Sequence, residues 1–160
     1  MGELVRPRPG GGARREADRE RIVVWVDSRE ARIVRRHGEA IELERVASDV
    51  PPHSGATGHV RHDSSMRHGG SGDPQNTAER RRTEHLDAFL AQVEARLSTE
   101  ADLEVLGPET VSERLARRIR QADVRHRRGR SVVGARAARL TDRQLAARLR
   151  SFSALEALGA

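Results

Sequence analysis

The sequence contains no cysteine and no tyrosine, and its other aromatics are one tryptophan and two phenylalanines. No lysine occurs either, so every one of its basic residues is arginine. Each absence removes a class of chemistry. Without cysteine there is no disulfide, no thiolate metal site and no cysteine nucleophile. With so few aromatics, the base-stacking platforms of RRM and OB domains are excluded. No apolar run approaches the roughly 18 residues that a membrane helix needs, and no membrane partner is expected. The charged N-terminus has no apolar stretch of the secretory kind, so the expected location is cytoplasmic. At 160 residues the chain has the length of one domain.

What is present in excess is positive charge. The formal net charge is +6. The use of Arg alone is what a GC-rich coding sequence produces, but the excess is still physical, and guanidinium forks match phosphate oxygens well. It is also concentrated. Residues 113–130 hold eight Arg (114, 117, 118, 120, 125, 127, 128 and 130) against Glu113 and Asp123, a sum of +6, so the rest of the chain is neutral. Clustering of this kind points to a polyanionic partner, against the plainer reading of a solvated helix face and its exit loop.

Residues 1–20 are rich in Gly, Pro and charge and are expected to form a disordered leader, with the folded domain spanning 21–155. Ile22-Val23-Val24-Trp25-Val26 is a continuous, largely β-branched run, suited to a central strand covered on both faces. It closes at the turn pair Asp27-Ser28. Partial alternation through Ala31 and Ile33, and through Ile41 and Leu43, predicts two more strands joined by a tight turn at His37-Gly38. Residues 47–75 break all periodicity and are expected to be a mobile loop. Leu86, Phe89, Leu90, Val93 and Leu97 form one apolar stripe, predicting a helix over 77–97 with Asn76 or Thr77 as N-cap. Leu103–Leu106 is a short strand that Gly107-Pro108 turns into a helix ending near Ala122. Val132–Ala135 is the last strand, and a capping box from Thr141 to Gln144 opens a final helix. The fold class is therefore α/β, a single domain in the order βββαβαβα with a mixed sheet, as in ribonuclease-H-like domains.

Three groups of residues are candidates for chemistry. His53, His59, His62 and His68 crowd the long loop with Asp63 and Asp73, but their spacing matches no zinc pattern and no metal or other cofactor is expected. The same loop interleaves Arg61 and Arg67 with Gly69 and Gly70, where glycine lets a backbone approach phosphate closely. The second group is Arg125, Arg127, Arg128 and Arg130, a stretch with few acids to offset it, which makes structured RNA or the ribosome the expected partner. The third is a two-metal nuclease centre, which would need carboxylates at the end of the first strand (Asp27), on the first helix (Glu79 or Glu84) and at the end of the fourth strand. The last of these is missing, because that strand ends Leu106-Gly107. A Ser-His-Asp set could be assembled from Ser64, Ser65, His68 and Asp73, but loops of this composition offer such sets by chance.

Val23–Ile33 (Val-Val-Trp-Val-Asp-Ser-Arg-Glu-Ala-Arg-Ile), the Leu106-Gly107-Pro108 junction and Thr141–Leu145 together resemble bacterial proteins similar to the central domain of eukaryotic and archaeal class-one peptide release factors, a group often labelled translational machinery or host attachment proteins. The resemblance covers residues 22–152 in order of elements. It implies a ribonuclease-H-like fold and action at the ribosome. In the release factors a Gly-Gly-Gln motif in the loop before the first helix enters the peptidyl-transferase centre. Here the loop reads His68-Gly69-Gly70-Ser71-Gly72-Asp73-Pro74-Gln75, with Ser after the glycine pair and Gln75 five positions beyond Gly70. The resemblance so read implies a ribosome- or RNA-associated domain without peptidyl-tRNA hydrolysis and with no catalytic residue. The alternatives are a hydrolase, acting on peptidyl-tRNA or metal-dependent, that uses the Gly/His-rich loop, and a non-catalytic homo-oligomer.

Overall fold

The computed structural model describes residues 19–52 and 74–157. Among these the elements run β1 (Arg21–Val26), β2 (Glu30–His37), β3 (Ala40–Ala47), α1 (Pro74–Ala95), β4 (Asp102–Gly107), α2 (Glu109–His126), β5 (Val132–Arg136) and α3 (Asp142–Ala157). They build one α/β domain with a five-stranded mixed sheet and three helices. The strand order is β3-β2-β1-β4-β5. β1 pairs antiparallel with β2, and β2 with β3; β1 pairs parallel with β4, and β4 with β5.

The continuous apolar run of β1 explains its place. A strand flanked on both edges and covered on both faces cannot offer polar side chains to water. Ile22, Val23, Val24 and Val26 are fully buried, and Trp25 nearly so. Successive side chains point to opposite faces. Ile22, Val24 and Val26 therefore join Phe89, Leu90 and Val93 of α1 and Leu115, Ala116 and Ile119 of α2. Val23 and Trp25 instead join Leu145 and Leu149 of α3. The sheet is thus sandwiched, α1 and α2 on one face and α3 on the other.

Local chemistry sets the element boundaries. Asp27 Oδ1 accepts hydrogen bonds from the N–H groups of Arg29 (2.7 Å) and Glu30 (2.9 Å), which closes the β1–β2 turn. Gly38, at φ 61, turns β2 into β3, with the turn at Gly38-Glu39 in place of the expected His37-Gly38. The capping box at α3 is formed: Gln144 N–H donates to Thr141 Oγ1 (3.2 Å), and Thr141 N–H donates to Gln144 Oε1 (2.8 Å). β3 takes in Ala47, and α1 starts at Pro74 rather than near Thr77. Pro is favoured in a first helical turn, where its missing N–H costs nothing. Gln75 is therefore an exposed residue of that turn and not of the preceding loop. The expected leader, apart from Arg19 and Glu20, and loop residues 53–73 lie outside the described residues.

Candidate nucleic-acid interface

Helix α2 carries the basic segment, and its start is fixed by a close backbone approach. Gly107, at φ 148, ends β4 against β1; a Cβ there would lie 2.1 Å from Val26 O. Pro108 follows as N-cap, and its carbonyl accepts from Ser112 N–H (3.1 Å) and Ser112 Oγ (2.8 Å). Leu115, Ala116 and Ile119 then bind the helix to the sheet, leaving the opposite face to water.

The helix runs to His126, one turn beyond the expected end near Ala122. The reason is a buried acid. Asp123 accepts a bidentate pair from Arg130, Nε at 2.8 Å and Nη2 at 2.9 Å, and Arg130 Nη1 also donates to Ser98 O. The Arg130 side chain is only 3% exposed. Periodicity within the helix carries no sign of this clamp, because its cation comes from beyond the helix end. The helix then closes at Arg127, which takes the left-handed conformation (φ 53, ψ 41). Arg127 N–H donates to Val124 O (3.3 Å), and Arg128 N–H donates to Asp123 O (2.9 Å). This is the closing pattern that glycine usually supplies. Arg127 is the single non-glycine residue with positive φ among the described residues.

The eight Arg of the segment divide by what they touch. Arg114 forms a bidentate pair with Asp87 of α1, with both contacts at 3.0 Å. Arg118 donates to Glu94 of α1. Arg120 reaches the carbonyl of Val132. Arg128 approaches Asp123 at 3.5 Å and stays partly exposed. Arg130 is consumed inside. Arg117, Arg125 and Arg127 are exposed and have no acidic partner among the described residues. Of the four expected RNA contacts here, Arg125 and Arg127 are thus presented freely, Arg128 partly, and Arg130 is placed in the structural clamp. Arg61, Arg67, Gly69 and Gly70 lie outside the described residues.

A second ionic centre, at the opposite face of the sheet, was not foreseen. Arg32 of β2 is buried, with its guanidinium 4.7 Å from the centre of the Trp25 ring. Its Nη1 donates to Asp142 Oδ1 (3.0 Å), and its Nε lies 3.5 Å from Glu30 Oε1. Arg45 donates to the other Asp142 oxygen, and Arg139 donates to Glu30 (2.8 Å). Trp25 Nε1–H donates to Ala138 O (3.1 Å). The hydrogen bond from Arg32, joined by that from Arg45, holds the Asp142 carboxyl below its usual range. The sequence signal was available: strand alternation places Arg32 on the same face as Trp25, and Asp142 opens a capped helix. Arg32 Nη1 and the Asp142 carboxylate pair here and fasten α3 and the β5–α3 connection to the sheet, while Arg32 Nε and Nη2 are buried without a hydrogen-bond partner among the described residues.

The carboxylates weighed for a two-metal centre are placed apart from such a role. Asp27 Oδ1 is committed to its turn, Glu84 pairs with Arg80 on the exposed face of α1, and β4 ends in Gly107. Among the described residues no group of three or more His, Asp or Glu gathers within metal-binding reach. No family model matches the chain, and no curated protein matches it either.

Proposed function

We propose that the protein is an RNA- or ribosome-binding module, of ribonuclease-H-like fold similar to the release-factor central domain, that acts without peptidyl-tRNA hydrolysis. The mixed sheet centred on β1, with α1 and α2 on one face and α3 on the other, supports the fold assignment. The single observation that carries the functional reading is Arg127. A side chain in the left-handed region costs roughly 1 kcal/mol relative to glycine. Here that strain is borne by an exposed guanidinium with no acidic partner among the described residues, next to the equally unpaired Arg125. The backbone conformation closes the helix, and its being borne by an arginine where glycine would be unstrained motivates a functional reading of the side chain.

The geometry favours contact through side chains. The C-terminal end of a helix carries partial negative charge, so its backbone repels phosphate. Arg125, Arg127 and Arg128 cluster at that end, with Arg61 and Arg67 as further proposed contacts. Phosphate contacts of this kind carry no base information, and sequence preference should be weak.

The test separates binding from folding. Arg127→Gly relieves the strain and removes the cation. It is expected to raise stability by about 0.5–1 kcal/mol. With Arg125→Gln added, the slope of log K against log salt for a structured RNA should fall by roughly two units, about one per cation removed. An unchanged slope in the stabilised variant would remove the ground for this reading.

A further inference from the structure

We infer that the outer edge of β5, with the groove between β5 and α2, docks an extended acidic segment of a partner protein as an added strand. The inference goes beyond RNA binding and uses a different part of α2.

The backbone phase of β5 follows from two hydrogen bonds. Leu103 N–H donates to Ser131 O (2.8 Å), and Ala137 N–H donates to Gly107 O (3.0 Å). Odd-numbered residues thus turn their backbone groups toward β4. Even-numbered residues, Val132 and Gly134 among them, turn theirs outward. Among the described residues no strand pairs with that outer edge. At Val132 the missing strand has a substitute: Arg120 Nε (3.2 Å) and Nη2 (2.9 Å) donate to the Val132 carbonyl. At Gly134 the edge is bare of side chain.

Edge strands in stable proteins are usually blunted by charge. The opposite edge, β3, follows that rule with Glu42, Glu44 and Arg45, and Glu44 is held by Arg35 and Arg96. β5 reads Val-Val-Gly-Ala-Arg and has no charged side chain of its own over its first four residues, its cover being Arg120 at the Val132 carbonyl. The large apolar side chains that stand exposed among the described residues are Val124, at 80%, and Val133, at 46%. They flank this same edge from the two faces of the sheet. On the α2 side lies a groove of about 630 Å³ with Ala116 and Gly134 in its lining. An added strand would cover Val133 with one set of alternate side chains and fill the groove with the other.

Charge decides the occupant. The groove lining offers Arg117, and Arg120 beyond its contact with the Val132 carbonyl, against Glu113. A second copy paired across a two-fold axis would set one α2 beside the other, Arg facing Arg, which is unfavourable. An acidic strand meets the opposite sign. It also takes over the Val132 carbonyl and frees Arg120 to pair with its carboxylates.

A labelled peptide of alternating Glu and Val tests this by fluorescence anisotropy, with its alternating Lys and Val counterpart as control. The acidic peptide should bind at least tenfold more tightly than the Lys peptide, and it should protect the Gly134 amide from hydrogen exchange. Gly134→Pro removes only an outward N–H, a change that edge strands tolerate, and should weaken binding roughly 5- to 10-fold. Val124→Glu, at an exposed position that cannot disturb the core, should weaken it comparably and covers the case in which the proline variant does not fold. Equal binding of the two peptides overturns the proposal, as does unchanged affinity in Val124→Glu. A dimer of the free protein that excludes the peptide and dissolves in Gly134→Pro would also overturn it, in favour of a second copy.

Discussion

Arg130 and Arg127 stand three positions apart in one basic run and do opposite things. Arg130 folds back onto buried Asp123 with two parallel hydrogen bonds, whereas Arg127 points to solvent from a strained backbone. Composition cannot separate them, because a guanidinium is the same group in both settings. What differs is an acid seven residues earlier, on the inner side of the last helical turn. Breaking a buried pair leaves an uncompensated charge, so Arg130→Gln is expected to cost about 3 kcal/mol, measured by urea unfolding. A loss below about 0.5 kcal/mol would show that the clamp is not structural. Asp142 offers a pH test. Its folded-state carboxyl is held below the usual range by Arg32, so its contribution is present at neutral pH and is lost as pH falls through its lowered value. Asp142→Asn should therefore be less stable than the wild type at pH 7, and the two should converge once pH falls below that lowered value. A gap that persists in acid would mean that packing, not charge, carries the effect.

At the scale of elements, the reading from sequence was best where burial alone decides. β1 is apolar from Ile22 to Val26 and lies at the centre of the sheet, and the stripe of α1 faces the core as its spacing required. The capping box of α3 was legible for the same reason, since it involves residues three apart. Boundaries set by distant partners were not legible: α2 gains a turn because Arg130, itself anchored on the Ser98 carbonyl, pairs with Asp123 from outside the helix. The free edge of β5 was likewise hidden, because a strand's neighbours follow from topology and not from its own five residues. The Gly107-Pro108 junction was read as a turn, but its closeness to Val26 needed coordinates. A Cβ at 2.1 Å from a backbone oxygen cannot be accommodated without moving β1 or β4. Gly107→Ala is expected to destabilise by about 3 kcal/mol or more, which a thermal melt would register as a drop of roughly 10 °C. A melt unchanged within about 2 °C would contradict the packing described for this junction.

For the whole molecule, the net charge is carried by one helix and its exit, while ion pairs tie down much of the remaining surface. Arg114 and Arg118 join α2 to α1, Arg148 holds buried Glu104 of β4, and Arg32 and Arg45 hold α3. Among the described residues these arginines build the domain, and Arg125 and Arg127, left unpaired at the end of α2, are the groups proposed to meet a polyanion. The measurement that tests this most directly is co-sedimentation with ribosomes at low and at high salt, comparing the wild type with the Arg125→Gln, Arg127→Gly double variant. The wild type should pellet with ribosomes at about 50 mM salt and be largely released at about 200 mM. The variant should stay in the supernatant at both, with a melting temperature equal to or above that of the wild type. Pelleting of the variant to the wild-type level at low salt would contradict a role for this basic end in binding.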